Sequence, residues 1–195
     1  MAFRILENID EKILDTTIEY GSRMTTEKPS TKSIAKVCGV SEFVIYDHFS
    51  GKVNLVAEAD KRVMNKLYRV QKKLYCQNID FKTFWYKMVD YFVTNPTITG
   101  WTMNYGYIFP RTKEPTGSKD AENKIMEMGK EALISLGFHL NNDNAYLFTW
   151  MWIYRSIVTY AALVIFAGMA DFPAAREGSY ALCFNGVSSC LRKEE

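Results

Sequence analysis

The chain has 195 residues, of which 48% are hydrophobic, 24% charged and 14% aromatic, a composition of one or two globular domains and not of a disordered or collagenous chain. A formal charge of +2 gives no chain-wide field for a polyanion, so any nucleic-acid footprint must come from local placement of charge. Cys38, Cys76, Cys183 and Cys190 form no CxxC pair and the histidines are His48 and His139, which excludes a zinc site and a disulfide framework.

At the N-terminus, Met1-Ala2-Phe3-Arg4 leads into alternating charges instead of an apolar signal core, so the expected location is cytoplasmic. Ile5, Ile9, Ile13, Leu14, Thr17 and Ile18 recur at three- and four-residue steps, predicting a first helix from about Ile5 to Ser22. The segment from Met24 to Ser30 holds Pro29 and several short polar residues, which break that helix and offer Ser30 as the N-cap of a second one starting near Thr31. Ile34, Ala35, Val37 and Cys38 follow, and Gly39 ends the helix because glycine accepts the left-handed backbone of a tight turn.

Ser41 is placed to cap a short third helix in which Val44, Ile45, His48 and Phe49 share helical spacing, with Ser50-Gly51 as its end. Two short helices joined this way make a helix-turn-helix by pattern alone. A long charged helix runs from Lys52 to about Cys76, with Val56, Val63, Leu67, Val70 and Leu74 as its expected buried seam, and Asn78-Ile79-Asp80 as its end.

Beyond this connector the chain turns aromatic, from Phe81 to Phe92 and, after the Asn95-Pro96 break, from Trp101 to Phe109. Pro110 to Ser118 reads as a loop. Further helices are expected over about Asp120–Leu136, Asp143–Met169 and Pro173–Leu191. The apolar window from Ala145 to Ala170 raises the question of a membrane span, which needs about 20 apolar residues. Arg155 interrupts it, and the small residues beyond suit a buried or interfacial helix better, so no membrane partner is expected. No segment carries a β period, and the fold class is all-α.

The stretch Ser30-Thr-Lys-Ser-Ile-Ala-Lys-Val-Cys-Gly-Val-Ser-Glu-Phe-Val-Ile-Tyr-Asp-His-Phe-Ser-Gly-Lys52 resembles the DNA-binding signature of TetR/AcrR-type bacterial transcriptional regulators. Ile34-Ala35, Gly39-Val40-Ser41, Ile45-Tyr46, His48-Phe49 and Lys52 match in identity and spacing, and the likeness covers roughly residues 5 to 56. It implies a three-helix helix-turn-helix DNA-binding head, residues 1–52 with the connector helix at about 52–76, followed by a helical ligand-binding and dimerisation bundle over residues 53–195. The implied function is a dimeric, ligand-responsive regulator, most commonly a repressor released from a palindromic operator on double-stranded DNA by a small apolar or aromatic effector.

Carried across position by position, the resemblance places Thr31, Ser41, Tyr46, His48 and Lys52 at DNA phosphates, and Lys32, Glu42 and Phe43 at base edges. A lysine can reach guanine acceptors, a glutamate can accept from cytosine N4, and a phenylalanine can touch a thymine methyl. His48 also fits a packed, hydrogen-bonded side chain within the head. The chain departs from the family at Glu42, Phe43 and Asp47. Two carboxylates on the reading helix oppose phosphate attraction, so the expectation is weak non-specific binding with an unusual operator, or a head that no longer binds DNA on a ligand-binding or protein-interaction module.

For the body, Trp85, Phe92, Trp101, Tyr105, Trp150 and Tyr154 offer aromatic walls and hydrogen-bonding rims for a ligand. Arg155, in an apolar helix, is the expected polar contact, because an unpaired buried charge is costly. Tyr180, Phe184, Val187 and Leu191 form a helical stripe that, with Ala161 and the small residues near it, is expected to pair two copies of the chain. The alternative for the aromatic and pairing positions is the chain's own core, and for Arg155 a salt bridge between subunits. No cofactor is expected. With neither a Cys/His pair at plausible spacing nor a metal cluster in the sequence, an enzyme is not expected either.

Overall fold

The structure is a computed structural model that describes residues 2–24, 30–105 and 119–189. Within these residues the chain forms α1 (Ala2–Gly21), α2 (Thr31–Cys38), α3 (Glu42–Phe49), α4 (Lys52–Tyr75), α5 (Phe81–Thr94), α6 (Pro96–Tyr105), α7 (Lys119–Ser135), α8 (Asp143–Phe166) and α9 (Pro173–Ser188), with no strand. The expected Pro110–Ser118 loop, Tyr107, Phe109 and Leu191 lie outside the described residues.

Local chemistry sets the helix ends. Ser30 and Ser33 form a reciprocal capping box at the start of α2, satisfying two of the amides that a helix N-terminus leaves without partners. Gly39, at φ 74°, turns the chain out of α2 while the Val40 amide donates back to the Ala35 carbonyl at 3.0 Å. At the end of α3, Ser50 has φ 55° and Gly51 has φ 112° with ψ −179°, a conformation essentially confined to glycine. Asp80 and Asn142 cap α5 and α8 through their side chains. α8 stops earlier than the apolar run suggests, because Gly168 at φ 67° lets the Met169 amide bond back to the Leu163 carbonyl, a left-handed helix ending.

Two apolar clusters follow from these elements. Ile13, Ile34, Ala35, Cys38, Ile45, Phe49 and Leu55 make a small core among α1, α2, α3 and the start of α4. The larger cluster surrounds Trp85, Met88, Phe92, Trp101, Ile153 and Ile157 in the remaining helices. α1 and α4 serve both, since Ile13 and Leu55 belong to the first while Ile18, Val63 and Leu67 belong to the second. Lys12 Nζ donates to the Cys38 carbonyl at 2.9 Å, fastening α1 to α2.

The seam of α4 differs from the expected one. Val63 and Leu67 are buried as predicted, but Val56, Val70 and Leu74 are only half-buried, and the fully buried row is Leu55, Ala59, Val63, Leu67 and Gln71. A helix packed on several sides buries an i, i+4 row that includes polar members, and a search for apolar periodicity passes over Asp60 and Gln71.

Elsewhere, α6 reaches α1 through close backbone packing, with Gly100 against the Ser22 carbonyl and Asn104 Nδ2 donating to the Gly21 carbonyl at 2.8 Å. Arg176 of α9 makes a two-pronged ion pair with Asp171 and a further one with Asp90 of α5, while the Tyr160 hydroxyl of α8 donates to Asp171 at 3.0 Å. α8 is long and apolar enough to cross a membrane, yet half of its most apolar window is buried inside the molecule, as for a core helix.

Candidate functional site

α3 presents one face to solvent. Phe43 is 74% and Tyr46 52% exposed, and Asp47 lies beside them, positions i, i+3 and i+4 of a single helical stripe. Ile45 and Phe49 anchor the opposite face in the small core. Lys32 and Lys36 of α2 and Lys52 of α4 are all exposed. The ring of Tyr46 lies over Gly51, where an added Cβ would meet it at 3.6 Å. Neither Ser41 nor Gly51 caps its helix through a side chain, so the first-turn amides of α3 and α4 are open to an external acceptor in a way that those of α2 are not. Helix N-termini of this kind receive phosphate oxygens.

Three expected DNA contacts are engaged within the protein. The Thr31 hydroxyl, largely buried, donates to the Glu42 carboxylate. A hydroxyl has one proton to give, so in this arrangement Thr31 cannot also donate to phosphate, and Glu42 has an acceptor oxygen already used. His48 Nδ1 lies 2.5 Å from Asp10 Oδ1 on α1, which ties α3 to α1 and supports the packed role. Ser41, Tyr46, Lys52, Lys32 and Phe43 remain exposed.

In the body, most of the expected ligand-binding aromatics are solid core. Trp85 and Phe92 are fully buried, and the Trp85 indole N–H donates to Ser156 Oγ at 3.1 Å. Trp101 donates to Asp60 Oδ1 at 2.9 Å and stacks on Tyr105 with ring centroids 4.3 Å apart. Tyr154 packs edge-on against Phe92, and burial pushes its hydroxyl well above the ordinary phenol range. Arg155 is on the exposed side of α8, so the argument from a buried charge does not apply to it. An apolar helix with one solvent face accommodates arginine there at little cost.

The structure instead shows a cleft, partly open to solvent, between the end of α4, the start of α5, α7 and α8. Its walls include Gln71, Tyr75, Phe81, Phe84, Met128 and Trp150, and among the described residues no acidic or basic side chain lines it. Of the predicted pocket residues, Trp150 alone is there. Gln71 is 0% exposed, and neither its amide nitrogen nor its amide oxygen has a hydrogen-bond partner among the described residues; the same holds for the Trp150 indole N–H. Buried polar groups are almost always paired, and here three unpaired ones belong to two residues that line the same cleft. Sequence periodicity missed Gln71, whose one available signal was its place in the i, i+4 row with Leu67 and Val63.

The expected pairing stripe also turns inward. Ala161 and Val187 are buried in the larger core, while Tyr180 and Phe184 pack against Phe81 within the chain. The apolar side chains left in solvent on α8 and α9 are Phe148, Trp152, Leu163, Phe166 and Leu182, with Leu182 78% exposed. Gly186 of α9 lies close to the Trp152 indole, so the two helices present this face together.

No protein-family model matches the chain and no curated protein matches its sequence. Solved structures do. A TetR family transcription regulator from Marinobacter aquaeolei superposes with a TM-score of 0.66 at 13% identity, covering 98% of each chain. The fatty acid degradation regulator FadR of Bacillus halodurans gives 0.64 at 13% identity over 90% of this chain and 98% of its own. NalD of Pseudomonas aeruginosa, the secondary repressor of the MexAB-OprM multidrug efflux pump, gives 0.55 at 14% identity over 97% of this chain and all of its own. End to end, from the helix-turn-helix to α9, the chain has the all-α fold of the TetR-family transcription regulators.

Proposed function

We propose that the chain is a dimeric DNA-binding transcription regulator whose operator affinity is set by a small uncharged effector, acting in the cytoplasm as a repressor released from a palindromic operator. The observation that carries this reading is the exposed α3 face, aromatic and flanked by Lys32, Lys36 and Lys52, built on the same helix α4 whose far end lines the cleft. The head extends through residues 1–52 and takes Leu55 into its core; residues 53–195 form the body.

Tyr46, Ser41 and Lys52, with the open amides of α3 and α4, hold phosphates and fix the register, while Phe43 and Lys32 face base edges. Gln71 lies 19 residues along α4 from Lys52, about 28 Å at 1.5 Å per residue. An effector that prefers one tilt of α4 therefore shifts the spacing of the two heads, to the extent that it binds one conformation better than the other. Asp47 on the exposed face favours the second reading, a body whose head no longer binds DNA.

Selection of binding sites from a random duplex pool separates the two. The expected result is a palindrome, weakened by both Tyr46→Phe and Lys52→Ala, with the slope of log affinity against log salt reduced by about 1.8 in the Lys52→Ala dimer, which loses one phosphate contact per head. No enrichment at any salt would overturn the regulator reading in favour of the second.

A further inference from the structure

We propose that the cleft takes an uncharged, largely apolar ring compound bearing a cis-amide edge, an N–H beside a C=O as in a lactam, and that the Gln71 side chain reads that edge. The inference deepens the effector reading above and rests on it for what binding does to DNA, but the recognition itself is a property of the cleft.

The chemistry follows from what is unpaired. Gln71 offers a carbonyl acceptor and an amide donor side by side, both buried and without partners among the described residues. A lactam answers both at once, its N–H donating to Gln71 Oε1 and its C=O accepting from Gln71 Nε2. A ketone or an ether would satisfy only the donor, and a hydrocarbon neither, leaving a buried polar group unmet. A carboxylate or an ammonium would be stripped of water in a cleft whose described lining residues carry no charge, which is costlier still.

The remainder of the cleft wall is largely apolar and aromatic. Phe84 stands 5.7 Å, centroid to centroid, from Trp150. The Trp150 indole lies directly on the backbone of α7 at Gly129, where a Cβ would overlap the indole ring. Packed against Phe84 and Gly129, the indole has little freedom, and its N–H is a second unpaired donor, available to a second acceptor on the ligand. Tyr75 and Phe81 extend the apolar wall. Such a site, apolar with a few fixed polar groups, is the usual form of a small-molecule pocket.

The test uses the full chain, isothermal titration calorimetry and two probes of equal shape. Quinolin-2(1H)-one carries the cis-amide edge; coumarin replaces its N–H by a ring oxygen and keeps the carbonyl. Quinolin-2(1H)-one is expected to bind at least about tenfold more tightly than coumarin, since a site built to pair with an N–H rejects the analogue lacking it. Gln71→Leu is expected to abolish that preference while raising the melting temperature, because an unpaired buried amide is replaced by an apolar side chain of similar size. Trp150→Phe, which keeps the ring and loses the N–H, is expected to preserve the preference.

Equal binding of the two probes to the unmodified chain, or no binding of either at millimolar concentration, overturns the proposal without any variant having to fold. A preference that survives in folded Gln71→Leu overturns the role of Gln71. If the lactam preference holds and quinolin-2(1H)-one leaves a selected DNA complex unchanged, the cleft chemistry stands and its coupling to DNA falls.

Discussion

Arg176 shows how a single side chain holds three helices in place. Its guanidinium grips Asp171 through two parallel hydrogen bonds, at 2.7 and 2.6 Å, and reaches Asp90 on α5 with its remaining arm. The pairing, with the Tyr160 hydroxyl added, holds the Asp171 carboxyl below the usual carboxylate range. The side chains of Arg176 and Asp171 are about four-fifths shielded, so the forked geometry is more than a surface ion pair. Lysine keeps the charge but not the fork, and Arg176→Lys is expected to cost about 1–3 kcal/mol at neutral pH. Because the folded Asp171 pKa is depressed, its contribution is fully present above the unfolded value of about 3.9 and is lost as pH falls through the lower folded value. Thermal unfolding of the two proteins across pH 2 to 7 should show a constant gap down to about pH 4 that closes below it. A gap unchanged at pH 2 would assign the effect to packing alone. At the same scale, the Thr31–Glu42 and His48–Asp10 contacts show why residue roles carried over from a resemblance need the fold. Both pairs are distant in sequence, 11 and 38 residues apart, and each consumes a group that identity alone assigns to DNA.

Among the helices, α6 meets α1 at closer range than any side chain permits. Gly100 faces the Ser22 backbone so tightly that a Cβ would overlap the Ser22 carbonyl oxygen, and backbone cannot move aside as the end of a flexible side chain can. Gly100→Ala is expected to part α1 from α6 and to destabilise the chain by about 1–3 kcal/mol, read as a fall in the midpoint of urea unfolding at unchanged m-value. An unaltered midpoint would mean that this junction yields freely. Helix boundaries in the first half of the chain were legible from the sequence because they are written locally, in Ser30, Gly39, Ser50-Gly51 and Asp80. The head could be read as a unit because its apolar positions lie within one short stretch. What lies between helices was not legible. The burial of Gln71 depends on α7 crossing the end of α4, with Gly129 bringing the Trp150 indole against its backbone, and nothing near residue 71 announces that crossing. The exposure of Arg155 and the half-burial of Tyr180 and Phe184 against Phe81 were hidden for the same reason, since an apolar helix does not say which side faces its own domain.

For the whole molecule, the proposed function makes pairing and DNA binding depend on each other. The head offers one eight-residue reading helix with few exposed cations, and a single half-site contact of that size binds weakly. Two heads held on one two-fold axis convert the second contact into an intramolecular event, gaining about 10²-fold or more in affinity when the spacing fits. The face available for that pairing is the solvent side of α8 and α9, where Trp152 at 60% and Leu182 at 78% exposure lie among Phe148, Leu163 and Phe166. Exposed apolar patches of this kind mark association surfaces. Replacing both Trp152 and Leu182 by glutamate introduces charges that water solvates in a single chain but that a paired surface would have to bury. The unmodified protein is expected to sediment as a dimer at micromolar concentration, and Trp152→Glu/Leu182→Glu as a monomer with the same helical circular dichroism. Its affinity for the selected palindrome should fall by about two orders of magnitude, while its affinity for an isolated half-site stays as it was. A double variant that remains dimeric would move the interface to another face. A monomer that keeps full operator affinity would show that one head suffices, and the lever role of α4 would then have no second head to align.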